Sequence, residues 1–395
     1  MKLPNTACAP FGRLRAGWWE STRFLAVYVA WSWFPQNSFI ASRPAGSSPS
    51  RSPAGHANRS AFVACIETAI KNACMEQAKT HNSLDKESMI EWANQELGSE
   101  IKYEEIKNTD TSIVLEGIYE GDSVYLKSAN QAAFFESHLT AYLSKNFPNT
   151  TVELLAVNHK SNWIVMKKLP GVLLRTTKSM KAYELMIRNY TILQRQVMPN
   201  VNEVLSLGVI DRRLPILWKE IDDNLELLCA TGLGEEDTLK ILSIKSELLS
   251  MCEEMVGIFP DTLEHGDLHS GNVFIEDNSF RFFDWGDASI THPFLSIRVF
   301  WNSLFELLEE DRDENWMRKI SEFRPAYLDM WKDYAPISIL KRQLLLAEQV
   351  GCVYRALSWH LYITPYRTNK EESFNKPAQW LKLLLDHRRL SKDVS

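Results

Sequence analysis

His265-Gly-Asp-Leu-His-Ser-Gly-Asn272, followed twelve residues later by Asp284-Trp-Gly286, is the stretch on which the reading of this chain turns. Three of its groups suit work on one phosphate. The Asp267 carboxylate can accept a proton. The Asn272 amide and Asp284 carboxylate offer the hard oxygen atoms that Mg2+ prefers, and that ion needs only one or two carboxylates because it keeps waters and phosphate oxygens. Between Asn272 and Asp284 run two short apolar segments around Asp277-Asn278, a spacing that predicts a β-hairpin. A hairpin returns the chain to its start, so Asp284 is expected beside Asn272.

These two motifs resemble those of the aminoglycoside-phosphotransferase and choline-kinase-like branch of the protein-kinase-like fold. That branch carries a His-x-Asp-x-x-x-x-Asn loop and a later metal-binding Asp, and Asp284-Trp-Gly stands where protein kinases have Asp-Phe-Gly. His-Gly-Asp-Leu-His and the run Asp284-Trp-Gly-Asp-Ala288 favour the small-molecule branch, since protein kinases usually place Arg between the His and Asp. The resemblance spans about residues 85–390, including Tyr190-Thr-Ile-Leu-Gln194 and Leu207-Gly-Val-Ile-Asp-Arg212. It implies a two-lobed α+β fold, with a small antiparallel-sheet N-lobe bearing one helix and a large, mostly helical C-lobe. It also implies an ATP- and Mg2+-dependent phosphotransferase that moves the γ-phosphate to a hydroxyl of a small molecule.

Composition is compatible with that expectation. At 395 residues and 45% hydrophobic content the chain can bury one large core or two lobes. No apolar run approaches the roughly 18 residues of a membrane-spanning helix, so stable membrane insertion is not expected. The six cysteines show no metal-binding or paired spacing and read as core thiols of a reducing compartment. Residues 1–60 hold seven Lys or Arg against Glu20, a net +6, which leaves −12 on the other 335 residues of a chain with net charge −6. So acidic a body argues against nucleic acid as the partner and suits a cationic acceptor, though many ordinary cytosolic enzymes are as acidic.

The chain divides into three expected parts: an extension over 1–74, an N-lobe over 75–170 and a C-lobe over 171–395. In the extension, arginines precede the apolar stretch Phe24–Phe34, and the Ser/Pro/Arg/Gly-rich tract 41–59 buries too little apolar surface to order itself. A signal peptide, a transit peptide and translation from upstream of a later start such as Met75 are all readings of it. ATP chemistry points to the cytoplasm.

Met89, Ile90, Trp92, Ala93 and Leu97 share one helical face, with Gly98 at the stop. Strands are expected over 101–106, 112–119, 123–127, 152–157 and 163–167, with one helix over 130–147. After Pro170-Gly171 the pattern turns helical. Met180–Val197 and Asp237–Phe259 read as long amphipathic helices, the second with Asp237 as N-cap, and helix predominates from Pro293 to Leu390.

Lys127 ends Ser-Val-Tyr-Leu-Lys, which resembles the strand whose lysine pairs with nucleotide phosphates, and Glu136 is its candidate partner on the next helix. A solvated strand-end lysine and a surface glutamate are the plain alternatives. The turn Asn108-Thr-Asp-Thr-Ser112 contains no glycine, unlike most phosphate loops. There Thr111 or Ser112 could donate to a phosphate, or the segment is a simple polar turn. Trp163–Gly171 resembles the strand-to-hinge segment between lobes. In that register Met166 sits behind the adenine, while the Lys167 carbonyl and Leu169 N–H meet its edge.

Asp267 is the candidate catalytic residue, with Asn272 and Asp284 as metal ligands. His265 reads as structural; His269 is a common residue of such loops. Asp287 could meet metal or a cationic substrate, or cap the next segment. Glu306, Glu309, Glu310, Asp311 and Asp313 could line a basic-substrate pocket, although a solvated helix end is the commoner meaning of such a run. Two other readings stay open at this level. One is a nucleotide-binding pseudokinase, for which the missing glycines leave room. The other is a hydrolytic metal site made of His265, Asp267 and His269.

Overall fold

The computed structural model of the protein describes residues 85–393 apart from 110, 130–132, 134, 309–311 and 368. The expected extension 1–74 lies outside the described residues, as do Asp110, the start of the helix expected from Asn130, and Glu309, Glu310 and Asp311.

Helix α1 (Lys86–Leu97) begins where the Asp85 side chain accepts the Ser88 N–H, and it ends at Gly98. A five-stranded sheet follows, ordered β1-β2-β3-β5-β4. Its strands are β1 (Glu104–Asn108), β2 (Ser112–Tyr119), β3 (Asp122–Ala129), β4 (Leu154–Asn158) and β5 (Trp163–Lys167), all pairs antiparallel. The two-residue alternation of strands sorts the faces. Ile113, Leu115, Val124, Leu126 and Val165 pack with Met89 and Ala93 of α1 into a small core. The intervening residues Ser112, Val114, Tyr125, Lys127, Ile164 and Met166 line a cavity on the other face. Helix α2 (Phe135–Asn146) stands between β3 and β4.

The first strand starts later than the expected 101–106. Ile101 is buried, but its N–H is taken by the Asn94 side chain (3.1 Å), and the ladder opens only at Glu104 opposite Glu116. Side-chain capture of a backbone donor here replaces strand pairing.

Beyond the sheet, β6 (Val172–Leu173) pairs with β9 (Val273–Glu276), which pairs with β10 (Ser279–Phe282). A second small sheet sets β11 (Ser289–Thr291) between β7 (Ile210–Asp211), parallel to it, and β8 (Thr262–Glu264), antiparallel. Around these pack α3 (Met180–Val197), α4 (Leu214–Cys229), α5 (Glu235–Ser243), α6 (Lys245–Met255), α7 (Ile297–Ser303), α8 (Asp313–Asp329), α9 (Ile337–Leu357) and α10 (Lys376–Asp393). Helix α9 runs through the middle of the large core and is buried on most sides. This antiparallel sheet followed by a mostly helical C-terminal lobe is the two-lobed α+β architecture that the motifs imply.

The single helix expected over 237–259 is two. The chain breaks at Ile244 (φ −101°, ψ 6°), so α5 and α6 differ in direction while Ile241 and Leu248 both reach the core. Asp237 is not the N-cap, a position held by Gly234. It lies in the first turn and pairs with Lys240 and with Lys382 of α10, both at 3.3 Å.

Candidate active site

The hairpin that closes the site is fixed by its turn. Asp277 and Asn278 both have positive φ (48° and 64°), the geometry of a type I′ turn, which matches strand twist. Val273 stands opposite Phe282, and the Phe283 N–H donates to the Asn272 carbonyl at 3.2 Å. Asn272 and Asp284 are thereby held on adjoining stretches of backbone. Asp284 itself is left-handed (φ 68°), and the next residue locks it there. Trp285 is fully buried, and its Nε1–H donates towards Thr151 Oγ1 (3.3 Å) and the Phe282 carbonyl (3.2 Å).

The catalytic-type loop is built around buried His265. Its Nε2–H donates to the Phe283 carbonyl (3.0 Å), and its Nδ1 accepts from Asp267 N–H (3.4 Å). Burial holds this imidazole down at about 4, so it is neutral. Its own N–H donates to the Tyr190 hydroxyl at 3.0 Å. With both ring nitrogens engaged, His265 is a strut of the loop. Among the described residues no group of three His, Cys, Asp or Glu side chains is arranged to hold a metal ion, which leaves the hydrolytic-metal reading without support. Gly266 stands where protein kinases usually carry Arg because the loop turns sharply there. Its φ is +81°, and a β-carbon would fall 1.9 Å from the Asp287 carbonyl oxygen.

Asp267 is gripped from a distance. Arg355 of α9 donates from Nη2 to Asp267 Oδ1 (2.9 Å) and from Nη1 to Asp287 Oδ2 (2.7 Å). His269 Nε2 lies 3.4 Å from the other Asp267 oxygen. Burial pushes the Asp267 carboxyl up, but the Arg355 charge and the hydrogen bond from His269 outweigh it and hold the group well below the usual carboxylate range. Asp267 is therefore ionised at neutral pH. Asp287, expected at metal, substrate or a cap, is placed on Arg355.

Lys127 Nζ lies 2.6 Å from Glu136 Oε1 and 2.7 Å from Asp284 Oδ1, nearly out of solvent. The separation of nine residues suffices because Glu136 lies in the first turn of α2, the next element after β3. The Asn272 amide donates from Nδ2 to the Asp267 carbonyl (3.0 Å), which assigns its Oδ1 to acceptor duty. An amide oxygen and a carboxylate beside one another fit Mg2+, which wants hard oxygen atoms and supplies the remaining positions from waters and phosphates.

Lys127, Glu136, Asn272 and Asp284 line one cavity of about 440 Å³ with Ser112, Lys167 and Leu169. The Ser112 N–H is held by Thr109 Oγ1 (3.2 Å), so the polar turn closes on itself. Met166 and Phe274 add apolar walls. Lys167 directs its ammonium to Glu153 outside the cavity, and its N–H donates to the Glu153 carbonyl (2.9 Å). In the acidic run, Glu306 accepts from the hydroxyls of Ser270 and Tyr183, each at 2.5 Å, and so braces the loop. Asp313 is the first residue of α8.

Two residues escaped sequence reasoning. Arg355 sits in the apolar last part of α9, residues 350–357, and an arginine in such a run signals a buried carboxylate partner. Nothing in the sequence says that the partner is Asp267. Arg175 lines the same cavity, its Nη2 3.4 Å from His269 Nδ1. No motif marks it.

The model of the phosphotransferase enzyme family (APH) matches residues 128–337. No curated protein matches the sequence. Among solved structures, the chain is similar to an ethanolamine kinase of Plasmodium vivax at 16% identity, covering 75% of this chain and 86% of that one with a TM-score of 0.53. It is also similar to a choline kinase of Cryptosporidium parvum at 13% identity, covering 77% and 97% with a TM-score of 0.50. At these identities the likeness is one of fold, and that fold is protein-kinase-like.

Proposed function

The chain belongs to the phosphotransferase enzyme family, and from that premise we propose that it transfers the γ-phosphate of ATP, with Mg2+, to a hydroxyl of a small molecule. The observation that carries this reading is the convergence of Lys127, Asn272 and Asp284 on one cavity, with ionised Asp267 at the loop beside it. Lys127, held by Glu136, would meet nucleotide phosphates. The backbone at Lys167 and Leu169 would meet the base, and Ser112 would meet a phosphate from the turn. Asn272 and Asp284 would hold Mg2+, which when bound neutralises phosphate charge.

Asp267 would orient the acceptor hydroxyl. A carboxylate held so far down is a weak base, which suits a loose transition state in which the proton leaves late. Positioning and charge neutralisation then supply most of the rate. The acceptor class is a small hydroxyl compound. The likeness to ethanolamine and choline kinases supports a cationic amino alcohol among the candidates. We place the reaction in the cytoplasm, where ATP is plentiful. The buried free thiols of Cys229, Cys252 and Cys352 are compatible with that compartment.

The test is ADP release from Mg·ATP against a panel of amino alcohols, aminoglycosides and sugars. Acceptor-dependent release that falls by about 10²-fold or more in Asp267→Asn supports the reading. Full activity in that variant defeats the role given to Asp267. Nucleotide binding without release for any acceptor favours a pseudokinase.

A further inference from the structure

The strand pair β6–β9 decides where residue 175 goes. Val172 stands opposite Ile275 and Leu173 opposite Phe274. Continuing that antiparallel register brings the residues just after β6 alongside those just before β9, which are Gly271 and Asn272. Leu174, fully buried, anchors the short helix Leu174–Thr177 at this point. Arg175 therefore extends from a fixed base over the loop.

Its guanidinium lies close against Gly271, with Nη2 nearest. A β-carbon built at Gly271 would fall 1.3 Å from Arg175 Nη2, so glycine is what makes room for the fork. Arg175 Nη2 also stands 3.4 Å from His269 Nδ1, and its charge reaches the Tyr183 hydroxyl, which donates to Glu306. The same guanidinium lines the cavity shared by Lys127, Asn272 and Asp284.

The charge balance of that cavity explains what such a group is for. Lys127 brings one positive charge, and it faces the carboxylates of Glu136 and Asp284. The turn from β1 to β2 has no glycine to bring backbone N–H groups close to phosphate oxygens. A nucleotide triphosphate entering here needs a further cation from another quarter. A planar guanidinium with forked donors matches phosphate better than an ammonium does.

We propose that Arg175 is a phosphate-binding residue that holds the terminal phosphate of the nucleotide, from the C-terminal lobe and opposite Lys127. The proposal rests on the phosphotransferase reading. The competing role is purely structural, with Arg175 only propping His269 against Asp267.

Binding separates the two roles without reliance on turnover. Mg·ADP and Mg·AMP-PNP are titrated calorimetrically into the full chain, into Arg175→Ala and into Arg175→Lys. A contact to the terminal phosphate predicts that Arg175→Ala loses about ten-fold or more in affinity for AMP-PNP while ADP binding stays near wild type. Arg175→Lys, which keeps the charge without the fork, falls between. Equal weakening of both nucleotides, or no weakening of either, overturns the proposal. If the wild-type chain binds neither nucleotide, the phosphotransferase reading falls and takes this inference with it. If it binds both and Arg175→Ala is indistinguishable from it, only the inference falls.

Discussion

At the scale of single residues, the site depends on how buried charge is paired. Arg355 bridges Asp267 and Asp287 with one guanidinium, its side chain only 4% exposed. Removing one partner of a buried ion pair strands the other, at a cost of about 3–5 kcal/mol. Arg355→Met should therefore lower the melting temperature markedly and abolish phosphate transfer, and a melt unchanged by circular dichroism would contradict this. Immediately before the loop, at the end of β8, Glu264 is fully buried and accepts the Tyr354 hydroxyl at 2.6 Å. Burial pushes its carboxyl up to about 7 from an ordinary 4.5, against the pull of Tyr354 and Arg355. Between those pH values the unfolded chain has lost the proton and the folded chain keeps it. This group thus lowers stability as pH rises through that window, by at most about 3 kcal/mol, and its cost is constant above pH 7. Glu264→Gln should melt with the wild type near pH 5 and above it at pH 8. Superimposable melting temperatures at pH 8 would refute the assignment.

At the scale of elements, the hairpin β9–β10 and the loop before it form one device for setting Asn272 beside Asp284. Its turn depends on two residues with positive φ. Asn278→Gly should leave the melt unchanged or raise it. Asn278→Val, β-branched in a left-handed position, should cost about 1–2 kcal/mol and weaken Mg2+-dependent nucleotide binding in parallel. Urea unfolding of the pair measures the first effect and titration the second. This device was legible in the sequence because it is local. The motif residues, the turn dipeptide and the two apolar runs all lie between 265 and 286. Helix α3 was legible for the same reason, through its apolar face at helical spacing over Met180–Val197. The break at Ile244 was not. Apolar residues continue across it, and only the packing of α5 and α6 on α4 and α10 shows the change of direction.

At the scale of the molecule, the cavity is shared by the sheet, by helix α2 and by the loops of the helical lobe, so a ligand there joins elements with separate cores. Binding to the folded state alone stabilises by mass action, about 2.7 kcal/mol at a hundred-fold excess over Kd. Mg·ATP should raise the melting temperature by several degrees. Lys127→Ala should lose that rise, because it removes the ammonium that ties β3 to Asp284 while leaving Arg175 in place. An equal rise in Lys127→Ala would place nucleotide binding elsewhere.

The sequence by itself determined the things that are settled over a dozen residues. These are the loop from His265 to Asn272, the hairpin after it, the strand ending at Lys127, the helices with clean periodicity and, through them, the fold class. Tertiary structure alone decided the partners. Lys127 meets Asp284 across 157 residues, Arg355 meets Asp267 across 88, and Arg175 meets His269 across 94. The physical reason is one of range. Periodicity, capping and turn chemistry act through neighbouring peptide units and leave a mark in the local pattern. Which buried charge faces which is decided by how helices and sheets pack around their cores, and any cation on the right face of α9 would read the same in sequence.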